Sequence, residues 1–201
     1  MTSQEGRGIV APRRVPIAIT RADVLQCVAI AVERAKYRRY DKGGTWARGL
    51  ANARTPYVIT DIKPHEWAIV VGSVGEYAVA NYLAPSLGEC GIDDELRVCG
   101  DYGIDFRAYG LTLQVKTRQR PGEHVLVKEG TNKALALVAV EWSRDDVAEL
   151  LGWEWSHFLN ECHREVSRFG SWVNLCVGDE VLRPMSRLRS ELALWKELQC
   201  R

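Results

Sequence analysis

Two segments of alternating polar and apolar residues, separated by one glycine, constrain the fold of this 201-residue chain most strongly. The first segment covers residues 105–109, Gly110 interrupts the pattern, and the second segment covers residues 111–116. Alternation with a period of two on both sides of a short glycine-containing break predicts an antiparallel β-hairpin. The chain is therefore expected to contain a sheet in which these two segments are neighbouring strands.

The alternation also predicts which side chains share a face of the hairpin. Gln114 and Lys116 point to one side of the second strand, while Leu113 and Val115 point to the other. The hairpin can bring Asp105 to the same side as Gln114 and Lys116. Because burying an aspartate and a lysine at a strand end is costly, this pair is expected to be exposed or functional.

A helix is predicted upstream of the hairpin, beginning near Asp61 or Pro64 and ending before Pro85. Its start is marked by acceptable N-cap residues and by a proline that a first helical turn tolerates. At about 100° per residue, Glu76 lies on a face of small and apolar side chains. Two interpretations stay open for this carboxylate, a functional role or an ordinary salt bridge at the rim of the helix.

Residues 74–80 of the helix, 103–106 of the first strand and 113–117 of the second resemble the PD-(D/E)xK nuclease superfamily. This superfamily is also called the restriction-endonuclease-like fold. The resemblance covers roughly residues 62–155. It implies a core of a helix, three antiparallel strands, a variable connection and a further strand.

The resemblance implies a role for each residue that matches the motif. Asp105 would be the central metal-ligating aspartate, and Gln114 would stand where the superfamily usually has a second acid. Lys116 would be the motif lysine, and Glu76 would be the helical acid found in many members. The main-chain carbonyl of Val115 would be a further metal ligand. The implied cofactor is Mg²⁺, with Mn²⁺ as a substitute, and the implied reaction is hydrolysis of DNA.

Two positions depart from the pattern of the superfamily. Ile104 replaces the proline that gives the motif its name, which is a common change. Gln114 replaces an acid, and its neutral amide oxygen can still bind a hard cation but removes one negative charge. Asp101 could supply that charge, although the glycines beside it equally explain an aspartate in a turn. Two alternatives therefore stay open: a catalytically lapsed nucleic-acid-binding or assembly module, and an RNA-directed nuclease.

Charge is nearly balanced, with 27 Lys and Arg against 26 Asp and Glu, so no global field attracts nucleic acid. Contact with DNA must come from a local patch, for which Arg38, Arg39, Arg118 and Arg120 are the candidates. The first two lie in the last turn of a predicted helix over residues 22–40, where cations also suit the helix macrodipole.

Targeting signals and cysteines give the expected environment. The sequence has no apolar run that could span a bilayer, and residues 1–16 lack the apolar core of a signal peptide. The six cysteines form no CxxC pair and are expected to be reduced thiols. We expect a cytoplasmic protein that has no membrane partner, and a homodimer is the assembly left open.

The organisation that follows is an α/β protein with a restriction-endonuclease-like core, in which helices flank a central mixed sheet, and an added N-terminal helix. Residues 1–19 are predicted to form a flexible arm, and residues 20–201 a single nuclease-like domain. Beyond the motif, the patterns predict strands at 125–127, 134–142, 147–153 and 173–177, and helices at 153–169 and 185–198.

Overall fold

The structure is a computed structural model that shows a mixed α/β fold with three α-helices and eight strands in the part of the chain that it describes. The described residues are 14–37, 64–87, 104–108, 110–130, 133–167 and 171–199. Residues 88–103, which precede the predicted hairpin, lie outside them.

The hairpin predicted from the alternating segments is confirmed. Strand β2 (Phe106–Ala108) and strand β3 (Leu111–Arg118) are antiparallel, with Phe106 opposite Leu113. Gly110 lies between them with φ 82°, a backbone conformation that favours glycine. The turn residue and the alternating pattern thus place β3 beside β2.

Three further strands complete a five-stranded sheet with the order β1-β6-β5-β3-β2. The apolar run after residue 133 forms β5 (Ala136–Arg144), which is parallel to β3. Strand β6 (Val147–Trp155) follows through a tight turn and is antiparallel to β5. The predicted mixed sheet is therefore present, with β3 between an antiparallel and a parallel neighbour.

The prediction of a flexible arm over residues 1–19 is wrong for residues 15–18, which form a strand. Strand β1 (Val15–Ala18) pairs with β6 in antiparallel register and forms one edge of the sheet. Pro16 is compatible with this position because an edge strand needs hydrogen bonds on one side only. Residues 1–13 lie outside the described ranges.

The three helices cover one face of the five-stranded sheet. Helix α1 (Arg21–Tyr37) packs on α2 (Pro64–Leu87), and α2 packs on the sheet. Helix α3 (Met185–Gln199) contacts both α2 and β6. Helix α2 continues past its predicted end, because Pro85 lies within its last turn. None of these described helices combines the length and apolar character needed to cross a membrane.

The start of α1 is fixed by a reciprocal capping box. The Thr20 main-chain N–H and hydroxyl both donate to Asp23 Oδ2 at 2.7 Å, and the Asp23 N–H donates to Thr20 Oγ1 at 3.2 Å. The Tyr77 hydroxyl of α2 donates to Asp23 Oδ1 at 2.6 Å. The hydrogen bonds from Thr20 and Tyr77 lower the pKa of the Asp23 carboxyl. The hydrogen bond between Tyr77 and Asp23 also raises the pKa of the Tyr77 hydroxyl.

Replacing Asp23 by alanine is expected to lower the free energy of unfolding by about 1 kcal/mol at pH 7, the usual cost of a lost helix cap. Because the folded-state pKa of Asp23 is lowered, its ionised form stabilises the protein above about pH 4. This contribution is lost as the pH falls through the folded-state pKa. Urea unfolding should therefore show that the wild type and Asp23→Ala differ less in their free energy of unfolding at pH 2.5 than at pH 7. A difference independent of pH would show that the Asp23 charge does not contribute.

A second, three-stranded sheet covers the other face of the five-stranded sheet. Its order is β4-β8-β7, formed by β4 (Val125–Lys128), β7 (His163–Val166) and β8 (Val173–Val177). Val125, Val127 and Leu175 pack with Leu137 and Ala139 of β5 in a second apolar core. In the described part of the chain, the helices therefore cover one face of the sheet, whereas the prediction placed helices on both sides.

The helix predicted over residues 153–169 is wrong. Strand β6 continues to Trp155, a 3₁₀ turn covers Phe158–Glu161, and β7 follows. Strand β7 is held by main-chain pairing with β8 rather than by a buried face, since all four of its residues are exposed.

Candidate functional site at the β3 edge

Asp105 immediately precedes β2, and its carboxylate extends the pairing with β3. The Asp105 N–H donates to the Leu113 carbonyl at 2.8 Å, and Asp105 Oδ2 accepts the Val115 N–H at 2.5 Å. A side-chain oxygen thus takes the place of a main-chain acceptor. Beyond Leu113, β3 has no β2 residue opposite it in the described chain. We refer to this part of β3, residues 114–118 beside Asp105, as the β3 edge.

The Val115 carbonyl faces the same edge as the Asp105 carboxylate. The N–H and C=O of one strand residue point to the same side of the strand, and the Val115 N–H points to Asp105. Main-chain groups of residues an odd number of positions apart point to opposite sides of a strand. Thr112, three residues before Val115, accordingly accepts the Leu135 N–H on the β5 side. The structure therefore places the main-chain ligand implied for Val115 next to Asp105.

Gln114 and Lys116 share the face that the second sheet covers. Their register partners on β5 are Leu137 and Ala139, which both belong to the second core. Gln114 is 4% exposed, and its Oε1 is buried without a hydrogen-bond partner among the described residues. A buried amide oxygen without a donor is unfavourable, so this atom fits a bound cation. Lys116 is half-buried and forms no ion pair with a described residue.

Glu76 approaches the β3 edge from the opposite face of the sheet. Gly75 lies so close to Thr117 and Val115 that an added Cβ would overlap the Thr117 hydroxyl. Glu76 is half-buried and begins one residue beyond this contact. The structure therefore places the Gly75 backbone of α2 against β3, on the face opposite to Gln114 and Lys116. Convergence of the Glu76 carboxylate with Gln114 and Lys116 stays a prediction.

The oxygen donors predicted for the site suit a hard cation such as Mg²⁺. They are the carboxylates of Asp105 and Glu76, the Gln114 amide oxygen and the Val115 carbonyl. Within the described ranges, no three His, Cys, Asp or Glu side chains are grouped so that they could hold a metal ion. The predicted set depends instead on the amide and on the main chain for half of its ligands.

Arg118 was predicted to contact DNA, but the structure buries it in a cluster of charges. Its Nε and Nη2 bind Glu141 Oε2 at 2.9 and 2.8 Å, and its Nη1 binds Asp179 Oδ1 at 2.8 Å. Nη1 also donates to the main-chain carbonyl of Glu123. The side chain is 5% exposed, so Arg118 cannot act as a surface phosphate ligand in this conformation.

Arg14 closes the same cluster from the N-terminal side. Its guanidinium binds Glu149 at 2.8 Å and Asp179 at 3.0 Å, and it lies 3.5 Å from Glu141. Sequence reasoning missed this arrangement, although Glu141 interrupts an otherwise apolar run and a buried carboxylate requires a cationic partner. We refer to Arg14, Arg118, Glu141, Glu149 and Asp179 as the charge cluster.

The other predicted DNA contacts are exposed or lie outside the described chain. Arg120 is exposed and forms a 3.2 Å ion pair with Glu123, so it stays a candidate phosphate ligand. Arg38, Arg39 and Asp101 lie outside the described residues.

The described cysteines do not form a reactive or metal-binding group. Cys27, Cys162 and Cys176 form no disulfide with a described residue, and none of them is fully exposed. Burial raises the pKa of the Cys162 and Cys176 thiols, which favours the protonated, unreactive form. The remaining three cysteines lie outside the described ranges.

The assignment of the candidate site rests on the residues of this chain alone. They are an aspartate against the main chain of β3 at Val115, a buried amide oxygen on the preceding residue of β3, and a lysine two residues beyond that amide. The chain has no significant match among protein-family models, among curated proteins or among solved structures.

Proposed function

We propose that the chain is a divalent-metal-dependent nuclease that hydrolyses DNA phosphodiester bonds at the β3 edge. One observation carries this proposal. The Asp105 carboxylate is held against the Val115 main chain of β3, the strand that also bears the buried, unpartnered Gln114 oxygen and Lys116. This order of acid, amide and lysine matches the motif of the PD-(D/E)xK superfamily with a single replaced acid.

The residues of the β3 edge have separate roles in this proposal. Asp105, the Gln114 oxygen and the Val115 carbonyl would hold Mg²⁺, with Glu76 as a further ligand from α2. A bound Mg²⁺ supplies a water of lowered pKa and polarises the scissile phosphate. Because Asp105 already accepts the Val115 N–H, its orientation is fixed before any ligand binds.

Lys116 would orient the attacking water and offset the negative charge that develops on the phosphate. Two residues further along, Arg118 has its charge compensated by Glu141 and Asp179. Lys116, in contrast, forms no ion pair with a described residue, which leaves its charge available to a substrate. The two cations on this face of β3 therefore differ in what they can do.

The proposal is tested by incubating the protein with plasmid and linear DNA in Mg²⁺, Mn²⁺ or EDTA. Cleavage is expected with either metal and not with EDTA, because Mn²⁺ accepts the same oxygen ligands. A parallel reaction with RNA separates the two substrates. Protein that binds DNA but never cuts it, with any metal or DNA form, would rule out the enzyme.

A catalytically lapsed nucleic-acid-binding or assembly module is the second candidate. Gln114 favours it, since the amide leaves the site with two predicted carboxylates, Asp105 and Glu76, and the helix that bears Glu76 packs on the face of β3 opposite to Gln114 and Lys116. This candidate predicts salt-dependent DNA binding without turnover.

Metal binding gives a prediction that does not depend on turnover. Calorimetry with Mn²⁺ is expected to show binding that Asp105→Ala abolishes, because the central carboxylate ligand is lost. Asp105→Asn is the matched control, since it keeps an acceptor for the Val115 N–H and removes only the charge. It should retain the fold and bind Mn²⁺ more weakly. Undiminished binding in Asp105→Ala would show that the ligand assignment is wrong.

A further inference from the structure

We propose that Arg118 is a positioning residue that fixes the β3 edge, and not a ligand of DNA. This inference rests on the proposed function and extends it to the way the site is held in place. Arg118 is the member of the charge cluster that belongs to β3, the strand that bears Lys116.

The Arg118 guanidinium joins three separate parts of the chain. It binds Glu141 on β5, Asp179 in the 3₁₀ turn that follows β8, and the Glu123 carbonyl in the loop after β3. A planar guanidinium with several donors in fixed directions orients its partners more strictly than a lysine ammonium can. The end of β3 is thereby tied both to its neighbouring strand and to the second sheet.

The same residue shares a face with the candidate catalytic side chains. Gln114, Lys116 and Arg118 lie opposite Leu137, Ala139 and Glu141 in one continuous parallel register. On its other side, this part of β3 lacks a β2 partner in the described chain and contacts the Asp105 carboxylate. Its position is therefore set by β5 along its length and by Arg118 at its end.

Stability alone does not account for a buried pair of this kind. Replacing a buried ion pair by apolar residues of similar volume is often neutral or stabilising, because both charges lose their hydration. The arrangement is better explained by the direction that it imposes on β3. A misplacement of about 1 Å, caused far from the reacting atoms, can lower turnover about 100-fold.

The experiment replaces both charges at once, as Arg118→Met with Glu141→Met. This double variant fills the same space and leaves neither charge unpaired, so thermal unfolding should stay near that of the wild type. Its kcat for DNA cleavage is expected to fall about 10- to 100-fold, while KM for DNA is unchanged. Arg144→Met is the control, since Arg144 is an exposed neighbour that pairs with Glu149 at 3.4 Å, and it should keep wild-type kinetics.

Two kinetic outcomes would overturn the inference. A stable double variant with wild-type kcat would show that the pair only contributes to stability. A raised KM with unchanged kcat would show that Arg118 contacts the substrate, as the sequence alone suggested. If the double variant fails to fold, Glu141→Gln carries the same measurement, because it removes the charge and keeps a hydrogen-bond acceptor.

A readout independent of turnover separates failure of this inference from failure of the proposed function. Hydrogen exchange of the Val115 and Lys116 amides should become about 10-fold faster in the double variant, while exchange at Leu150 of β6 is unchanged. If the wild type never cuts DNA, the proposed function fails but this measurement still reports on positioning. Unchanged exchange at Val115 and Lys116 would overturn the positioning role in either case.

Discussion

Replacing Lys116 by alanine is expected to lower DNA cleavage by about 10²- to 10³-fold while folding and Mn²⁺ binding are retained. The side chain is half-buried and forms no ion pair with a described residue, so its removal leaves no buried charge without a partner. In the proposed mechanism, its ammonium would interact mainly with charge that builds up on the phosphate in the transition state. The loss should therefore appear in kcat more than in KM, as measured by single-turnover cleavage of labelled DNA.

Arg120→Ala is the comparison for this variant because Arg120 is exposed and lies four residues beyond Lys116. It should weaken DNA binding and flatten the dependence of binding on salt, with little effect on the cleavage step. Cleavage that persists in Lys116→Ala would indicate a different active site or a contaminating nuclease.

The single substitution Arg118→Met is expected to lower the free energy of unfolding by about 3–5 kcal/mol. It leaves Glu141, whose side chain is 3% exposed, without its two shortest contacts. The more distant Arg14, at 3.5 Å, and the Ser143 hydroxyl, at 3.1 Å, compensate only part of this loss. Urea unfolding at neutral pH measures the difference.

Arg164→Met provides the matched control for that loss of stability. Arg164 forms an ion pair of similar length, 2.9 Å to Glu129, but its side chain is 51% exposed. Exposed pairs contribute at most about 1 kcal/mol, so this variant should unfold close to the wild type. Equal losses in both variants would contradict the view that burial makes the Arg118 contacts important.

Those parts of the fold with a clear periodicity could be predicted from the sequence. The alternation around Gly110 predicted the β2–β3 hairpin, and the apolar run predicted β5 within two residues of its observed ends. The apolar stripe near the C-terminus predicted α3. In each of these segments, apolar residues recur in the sequence with the spacing of the side chains on the buried face.

Two edge strands could not be predicted, because main-chain pairing defines them rather than a buried face. The four residues of β7 are all exposed and do not alternate between polar and apolar side chains. Residues 153–169 were therefore predicted to be a helix. Strand β1 is short and contains Pro16, which gave the interpretation of a flexible arm. A single sequence contains little information about which distant strand will pair with such a segment.

The candidate site shows the same division between local and distant information. Alternation placed Gln114 and Lys116 on one face and brought Asp105 to Val115. It could not show that a second sheet covers this face or that Arg118 is used inside the protein. Glu141 was the available signal, since an acid within an apolar strand requires a buried cation.

The position of β1 has a consequence for how the protein can be shortened. Residues 15–18 satisfy the outer main-chain groups of β6 between Val147 and Leu150, a region rich in apolar side chains. Removing the first 18 residues would therefore expose a bare strand that can pair with other molecules and seed aggregation. A truncation that begins at Arg14 keeps both this protective strand and the ion pairs of Arg14 with Glu149 and Asp179. We therefore expect a protein that lacks β1 to self-associate more readily than one that begins at Arg14.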